Sequence, residues 1–242
     1  MKRLIITIDG PAGAGKTTVS RKLSDRLNYK YIDTGALYRA VALEAQFAGI
    51  SQDDDTGLEN LCSKLSLNFV RNERELRLLS NNSDITDQIR TPEISMMASA
   101  VSARPVVRKY LLDLQRNICR EKGVVFEGRD MGTVVFPNAD KKFYLKASPK
   151  VRAIRRYREL KSKTSQTVED VEREIRLRDE NDEKREAAPM KPADDALIVD
   201  STNFSIDDVV EMMLDYITSP TMHHSFRPPL PNLKSSLKSQ TY

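Results

Sequence analysis

One octapeptide constrains this chain more than any other feature. Gly10-Pro-Ala-Gly13-Ala-Gly15-Lys16-Thr17 fits the pattern G-x-x-x-x-G-K-[ST]. It stands between Arg3–Asp9, a short apolar run rich in β-branched residues, and Lys16–Leu27, where Val19, Leu23 and Leu27 recur at helical spacing. A strand that runs through glycines into a helix is the setting a phosphate loop requires. Glycines let the backbone wrap an anion and turn successive N–H groups towards phosphate at the positive end of the helix. Lys16 supplies a mobile charge for the β and γ phosphates, and Thr17 a hydroxyl that binds Mg2+ directly. Gly10, Pro11, Ala12, Gly13, Ala14, Gly15, Lys16, Thr17 and Thr18 are therefore the expected ATP-binding residues. A dinucleotide fingerprint is excluded, because these glycines do not fit G-x-G-x-x-G and Lys16 would have no role in it.

Further strands are expected at Tyr31–Ile32, Val124–Glu127, Lys142–Leu145 and Leu197–Val199, alternating with helices at Gly35–Ala48, Pro92–Ala103, Pro105–Arg120 and Ile206–Ile217. The alternation predicts an α/β fold, a three-layer parallel sheet with helices on both faces. Leu67, Phe69 and Glu75–Leu79 break it with two short antiparallel strands, an insertion with Asn72 available for its turn. Pro149–Arg185 is dense in charge and reads as two exposed helices around Ser162–Gln166. The expected organisation is a phosphate-loop core in 1–34, 87–148 and 186–218, an acceptor region with its small β insertion in 35–86, a helical lid in 149–185, and a disordered tail in 219–242.

Composition narrows the class. No stretch approaches the ~18–20 apolar residues a membrane helix needs, and Asp9 interrupts the N-terminal apolar run before it could serve as a signal peptide. Cys62 and Cys119 form neither a disulfide framework nor a zinc motif, so a cytoplasmic location is expected. The net charge of +4 includes Arg227, Lys234 and Lys238 of the tail, and the remaining +1 speaks against nucleic acid as a partner. No exposed apolar helix calls for a second subunit, so a monomer is expected. His223 and His224 have no partners in the sequence, and Asp53–Asp55 suit a helix N-cap better than a calcium loop, for which Gly57 is misplaced.

Phosphate loops serve switches, motors and small-molecule kinases. No N-K-x-D segment follows a later strand, as a guanine-reading switch would need. A kinase needs several cations to gather two anionic substrates, and Arg39, Arg108, Arg129, Arg178 and Arg185 are spaced along the chain at the starts of loops and helices. Asp130, after a core strand, could discriminate cytosine, which shows an amino donor where uracil shows a carbonyl; taken alone it could also merely pair with Arg129 or cap a turn. Ser99 and Arg108 lie on expected helices, where a surface position is the ordinary explanation. Asp33 and Glu127 end core strands and would both face the rim of the phosphate loop in a parallel sheet, placed to hold Mg2+ through water.

The segments Asp33-Thr-Gly-Ala-Leu-Tyr-Arg39, Gly128-Arg-Asp-Met-Gly-Thr133 and Arg178-Asp-Glu-Asn-Asp-Glu-Lys-Arg185, together with the phosphate loop, resemble the bacterial cytidylate kinase family, in order and spacing from about Leu4 to Thr218. The resemblance implies γ-phosphoryl transfer from ATP, with Mg2+, to CMP or dCMP. It implies that Arg39 and Arg129 hold the acceptor phosphate with Arg185 reaching in from the lid, and that Ser99, Arg108, Asp130 and Thr34 line the cytosine pocket. Arg178 and Asp182 would meet the sugar hydroxyls, and Lys16, Arg129, Arg178 and Arg185 would serve catalysis as charges around the transferring group. The rivals are a kinase of another small acceptor, such as UMP, AMP or shikimate, and a phosphate-loop ATPase acting on nucleic acid.

Overall fold

The run of β-branched residues before the phosphate loop becomes β1 (Ile5–Asp9), the middle strand of the main sheet in a computed structural model that describes residues 3–72, 75–119, 122–160 and 166–219. The other strands are β2 (Lys30–Asp33), β6 (Val124–Gly128), β7 (Lys141–Lys146) and β8 (Leu197–Asp200). All pair in parallel, in the order β2-β6-β1-β7-β8. Register brings Asp9 opposite Gly128 and Asp33 opposite Glu127, so the carboxyl ends of β1, β2 and β6 share one edge. Order reverses at β1, and the crevice beyond such a reversal is where open α/β sheets bind ligands.

Ile6, Ile8, Val125, Phe143 and Leu145 are wholly or almost wholly buried, as strands covered on both faces require. On one face lie α1 (Lys16–Leu27) and α8 (Ile206–Thr218), which bury Val19 and Leu23 against Val209, Val210 and Met213. Each such side chain contributes about 1.5–3 kcal/mol. α8 begins with a reciprocal cap between Ser205 and Asp208. On the other face Phe126 stacks against Phe136 at 4.4 Å between ring centroids.

A second core sits beside the sheet. α2 (Thr34–Phe47), α3 (Asp55–Lys64), α4 (Pro92–Val101) and α5 (Pro105–Ile118) bury Leu37, Leu58, Val101 and Leu111 together with Leu67 and Leu78 of an antiparallel sheet, β3 (Leu67–Asn72), β4 (Glu75–Ser80) and β5 (Ser83–Asp84). The insertion is thus three-stranded, one strand more than expected. Packing groups α4 with the insertion's side, not with the main sheet to which its sequence position had assigned it, while α5 reaches both cores. Val107 and Leu111 face the second core, and Leu112 and Ile118 pack on the Phe126 side of the main sheet. α4 and α5 open with proline, whose missing N–H costs nothing in the first turn, and Asp54 caps α3, as the acidic run predicted.

The segment expected to form a lid folds as α6 (Pro149–Leu160) and α7 (Val168–Lys184). Its charge pattern predicted two exposed helices, and here the structure differs. Val171 and Ile175 of α7 pack on Ala153 of α6 and on Ala12 of the phosphate loop, and Arg152, Asp179 and Asp182 are buried with them. The expected turn beyond Asn72 at 73–74, the expected break between the two charged helices at 161–165 and the expected disordered tail at 220–242 lie outside the described residues. No helix among the described residues is long and apolar enough to cross a membrane.

Candidate active site

The phosphate loop leaves β1 at Gly10 and enters α1 at Lys16. Gly13 and Gly15 hold φ of 73° and 91°, values that only glycine adopts freely, so the loop can coil without strain. Lys16 is buried, and its Nζ donates to the Pro11 carbonyl at 2.8 Å. Burial, with Arg129 behind it, lowers the Lys16 ammonium to about 7. Thr17 and Thr18 are exposed at the first turn of α1.

Parallel register delivers the carboxylates. Glu127, at the end of β6, accepts from Thr17 Oγ1 at 2.8 Å through Oε1, while its Oε2 is buried without a hydrogen-bond partner. Burial, and Asp33 after it, raise Glu127 to about 7. Asp33 has other commitments. It accepts from Ala36 N at 3.1 Å as the N-cap of α2 and from Arg39 Nη2 at 2.7 Å. Burial alone would raise its carboxyl, but Arg39 and the cap hold it below its ordinary value. Thr34 is turned towards β6, donating to the Glu127 carbonyl at 2.6 Å.

The loop after β6 carries Arg129 and Asp130 and closes in a single π-helical turn, Met131–Val135. Asp130 is 2 % exposed and pairs with Arg108 of α5 and with Arg185, whose Nη2 lies at 3.3 Å. The expected alternative, pairing with its neighbour Arg129, does not occur: Arg129 Nε turns away to Asp182 at 3.0 Å. Arg108 also donates to the Ser102 carbonyl at 3.2 Å and stands over the Tyr38 ring. Arg185 Nη1 approaches Ser102 Oγ at 3.4 Å and its Nε donates to Ala188 O at 2.6 Å. Ser99 is half-buried on α4, one turn from Ser102.

Arg178 is the exception among these cations. It forms no ion pair with any described residue, and its Nε is buried without a hydrogen bond. Burial, then Arg129, lower its guanidinium to about 10, with Arg39 and Arg156 adding to the repulsion. Lys16, Arg129 and Arg178 thus lie within one another's fields, Arg129 held by Asp182 while Lys16 and Arg178 are lowered by burial and by Arg129, an arrangement suited to an arriving phosphate.

A model of the cytidylate kinase family matches residues 6–219. The chain belongs to the cytidylate kinase family. Curated relatives include the cytidylate kinases of Geobacter sulfurreducens, 53% identical over 87% of this chain and 91% of that protein, and of Syntrophotalea carbinolica, 48% identical over 89% and 92%. That of Pasteurella multocida is 44% identical over 89% of this chain and 95% of its own length.

In this member of the cytidylate kinase family, sequence reasoning missed three buried groups at the site. Asp9 accepts from Met131 N and Gly132 N, each at 2.8 Å, and so fixes the turn that follows Arg129 and Asp130. Arg152 and Asp179 hold the phosphate loop at Ala12. Only Asp9 left a signal, a carboxylate ending a buried strand. Asp9→Asn should cost about 1–3 kcal/mol, because one of the two N–H groups would then face an amide N–H. Burial raises Asp9 from 3.8 to about 6 despite its two N–H donors. An acid whose folded value is raised contributes stability at low pH that is lost as pH climbs from 3.8 through about 6. The cost of Asp9→Asn, measured by urea unfolding, should therefore be larger at pH 4.5 than at pH 8; an equal cost would show that burial does not perturb Asp9.

Proposed function

We propose that the chain transfers the γ-phosphoryl group of ATP to CMP or dCMP, giving ADP and CDP or dCDP by in-line displacement. The observation that carries this reading is the gathering of Lys16, Arg129 and Arg178 beside the phosphate loop, with Arg178 forming no ion pair among the described residues and its Nε buried without a hydrogen bond. A transferring phosphoryl spreads charge over its equatorial oxygens, so catalysis consists of placing cations around it and aligning the two ends.

On this reading the backbone from Gly10 to Thr18 cradles the ATP phosphates. Arg39, Arg129 and Arg185 hold the acceptor phosphate, and Arg178 answers the charge that develops in transfer. Asp130, oriented by Arg108 and Arg185, accepts from the cytosine amino group, with Ser99 and Thr34 completing the pocket. Arg178 and Asp182 meet the sugar hydroxyls. The lid helices exclude water that would otherwise take the phosphoryl group.

The residues present fit Mg2+ carried in by ATP: Glu127 offers a buried, unpartnered carboxylate oxygen next to the Thr17 hydroxyl. Thr17 and Glu127 would hold the ion, and it would neutralise charge between the β and γ phosphates. Asp33, engaged by the α2 cap and by Arg39, is the lesser candidate. A cytoplasmic location accords with the buried, free Cys62 and Cys119, and the chain is proposed to act as a monomer.

Release of ADP from ATP·Mg2+ should be fast with CMP or dCMP, at least ten-fold slower with UMP, and negligible with AMP. Equal rates with UMP would remove Asp130 as the base reader, and release indifferent to every acceptor would remove the kinase reading altogether.

A further inference from the structure

Charged side chains buried in a lid call for an explanation, because a buried ion pair does not as a rule stabilise a fold more than apolar residues of the same volume. Arg152 and Asp179 are 6 % and 7 % exposed and pair with each other. They also grip the backbone of one residue from both sides. Ala12 N donates to Asp179 Oδ1 at 3.1 Å, and Arg152 Nη1 donates to Ala12 O at 2.9 Å. The result is a closed ring: carboxylate, guanidinium, and the two peptide groups that flank Ala12. Arg152 Nε, at 3.0 Å from Ala147 O, ties the ring to the segment after β7. Gly13 marks how close the approach is, since a Cβ there would lie 2.9 Å from the Arg152 carbonyl.

We propose that Arg152 and Asp179 are positioning residues for phosphoryl transfer, clamping the phosphate loop to the lid so that ATP and Arg178 are held in one frame. This rests on the kinase reading above. Asp179 follows Arg178 in α7, so a helix turn that places one places the other. The clamp also takes up the Ala12 N–H, which leaves phosphate binding to the N–H groups after it. A loop fixed in advance of the reaction needs no rearrangement when charge develops, and a misplacement of about 1 Å costs roughly 100-fold in rate. Neither residue is placed to touch substrate; both act through Ala12 and Arg178.

The experiment compares Asp179→Asn, Arg152→Met, Arg152→Lys, Asp179→Ala and the Arg152→Met/Asp179→Asn double variant with the unaltered protein. Turnover with CMP should fall about 30- to 100-fold in each of the first two, with the KM for CMP changed less than about three-fold because the proposed base and acceptor-phosphate contacts, Asp130, Arg108, Arg39 and Arg185, are left in place. Arg152→Lys should recover little, since one ammonium cannot meet Asp179, Ala12 O and Ala147 O at the angles of a guanidinium fork. The double variant should be no worse than the poorer single one, as expected of residues that act as a unit. Amide exchange at Ala12, followed without any acceptor, should accelerate in Asp179→Ala. Unchanged turnover in both single variants, with only the thermal midpoint lowered, would overturn the proposal, as would unaltered exchange at Ala12. Faster exchange at Ala12 together with no phosphorylation of CMP by the unaltered protein would overturn the kinase reading and uphold the clamp.

Discussion

Arg178→Ala should leave the free protein as stable as before, or slightly more so, and cut turnover with CMP by about 100- to 1,000-fold. Most substitutions at a buried charged residue do the reverse, lowering stability by breaking a pair. Arg178 has no pair to break among the described residues, its Nε has no acceptor, and burial with Arg129 beside it pulls the guanidinium down to about 10. Keeping the charge there costs the free fold, so its removal relieves a repulsion. On the proposed reading the group answers an anion that arrives with the substrates, so turnover should depend on it. Arg178→Lys should recover part of the rate, since it restores the charge without the planar fork. Thermal unfolding and steady-state kinetics on the same samples test this. A clear loss of stability with unchanged turnover would make Arg178 a structural residue.

Asp130→Asn is expected to act in the opposite sense on stability. Arg108 and Arg185 converge on this carboxylate from α5 and from the end of α7. Without its charge two guanidinium groups are left facing each other, and breaking a buried pair from one side costs about 3–5 kcal/mol. An amide also presents a donor towards the place proposed for the cytosine amino group. The ratio of kcat/KM for CMP to that for UMP should fall at least ten-fold, about 1.4 kcal/mol of discrimination. Chemical unfolding and a two-acceptor assay separate the effects. Lost stability with the ratio intact would mean that Asp130 only ties α5 to the lid.

What could be read in the sequence follows from how local each feature is. The phosphate loop, β1 and α1 were legible because motif, strand and helix signals lie within one short stretch, and Lys16–Leu27 is helical to the residue. The parallel class was legible from alternation, but strand order was not, because it depends on contacts between distant segments. The site arginines were located as residues, yet their partners were not. Nothing in the string Arg178-Asp-Glu-Asn-Asp tells which acid faces inward, and burial selects Asp179 and Asp182 while leaving Glu180 exposed. The π-helical turn at Met131–Val135 has no compositional signature, and it exists here because Asp9 seizes two of its N–H groups from another strand. Helix period alone could not place α4 and α5, since an apolar face does not name the surface it will meet.

The strand order has a consequence for how the chain is made. β1 and β2 come first in synthesis and are not neighbours: β6 lies between them, and the other side of β1 is taken by β7. A chain emerging from its N-terminus therefore exposes two strands, of which β1 is strongly apolar, whose partners have yet to be translated. Neither can pair in native register until Val124–Gly128 is outside the tunnel, and β1 remains open on its other flank until Lys141–Lys146 follows. The second core has no such delay, because α2 through α5 and the small antiparallel sheet lie together between β2 and β6. Vectorial synthesis thus favours an order in which the acceptor side condenses first and the nucleotide-binding sheet closes around it afterwards. Until β6 arrives, the unpaired strand that precedes the phosphate loop is the segment a chaperone has most reason to hold.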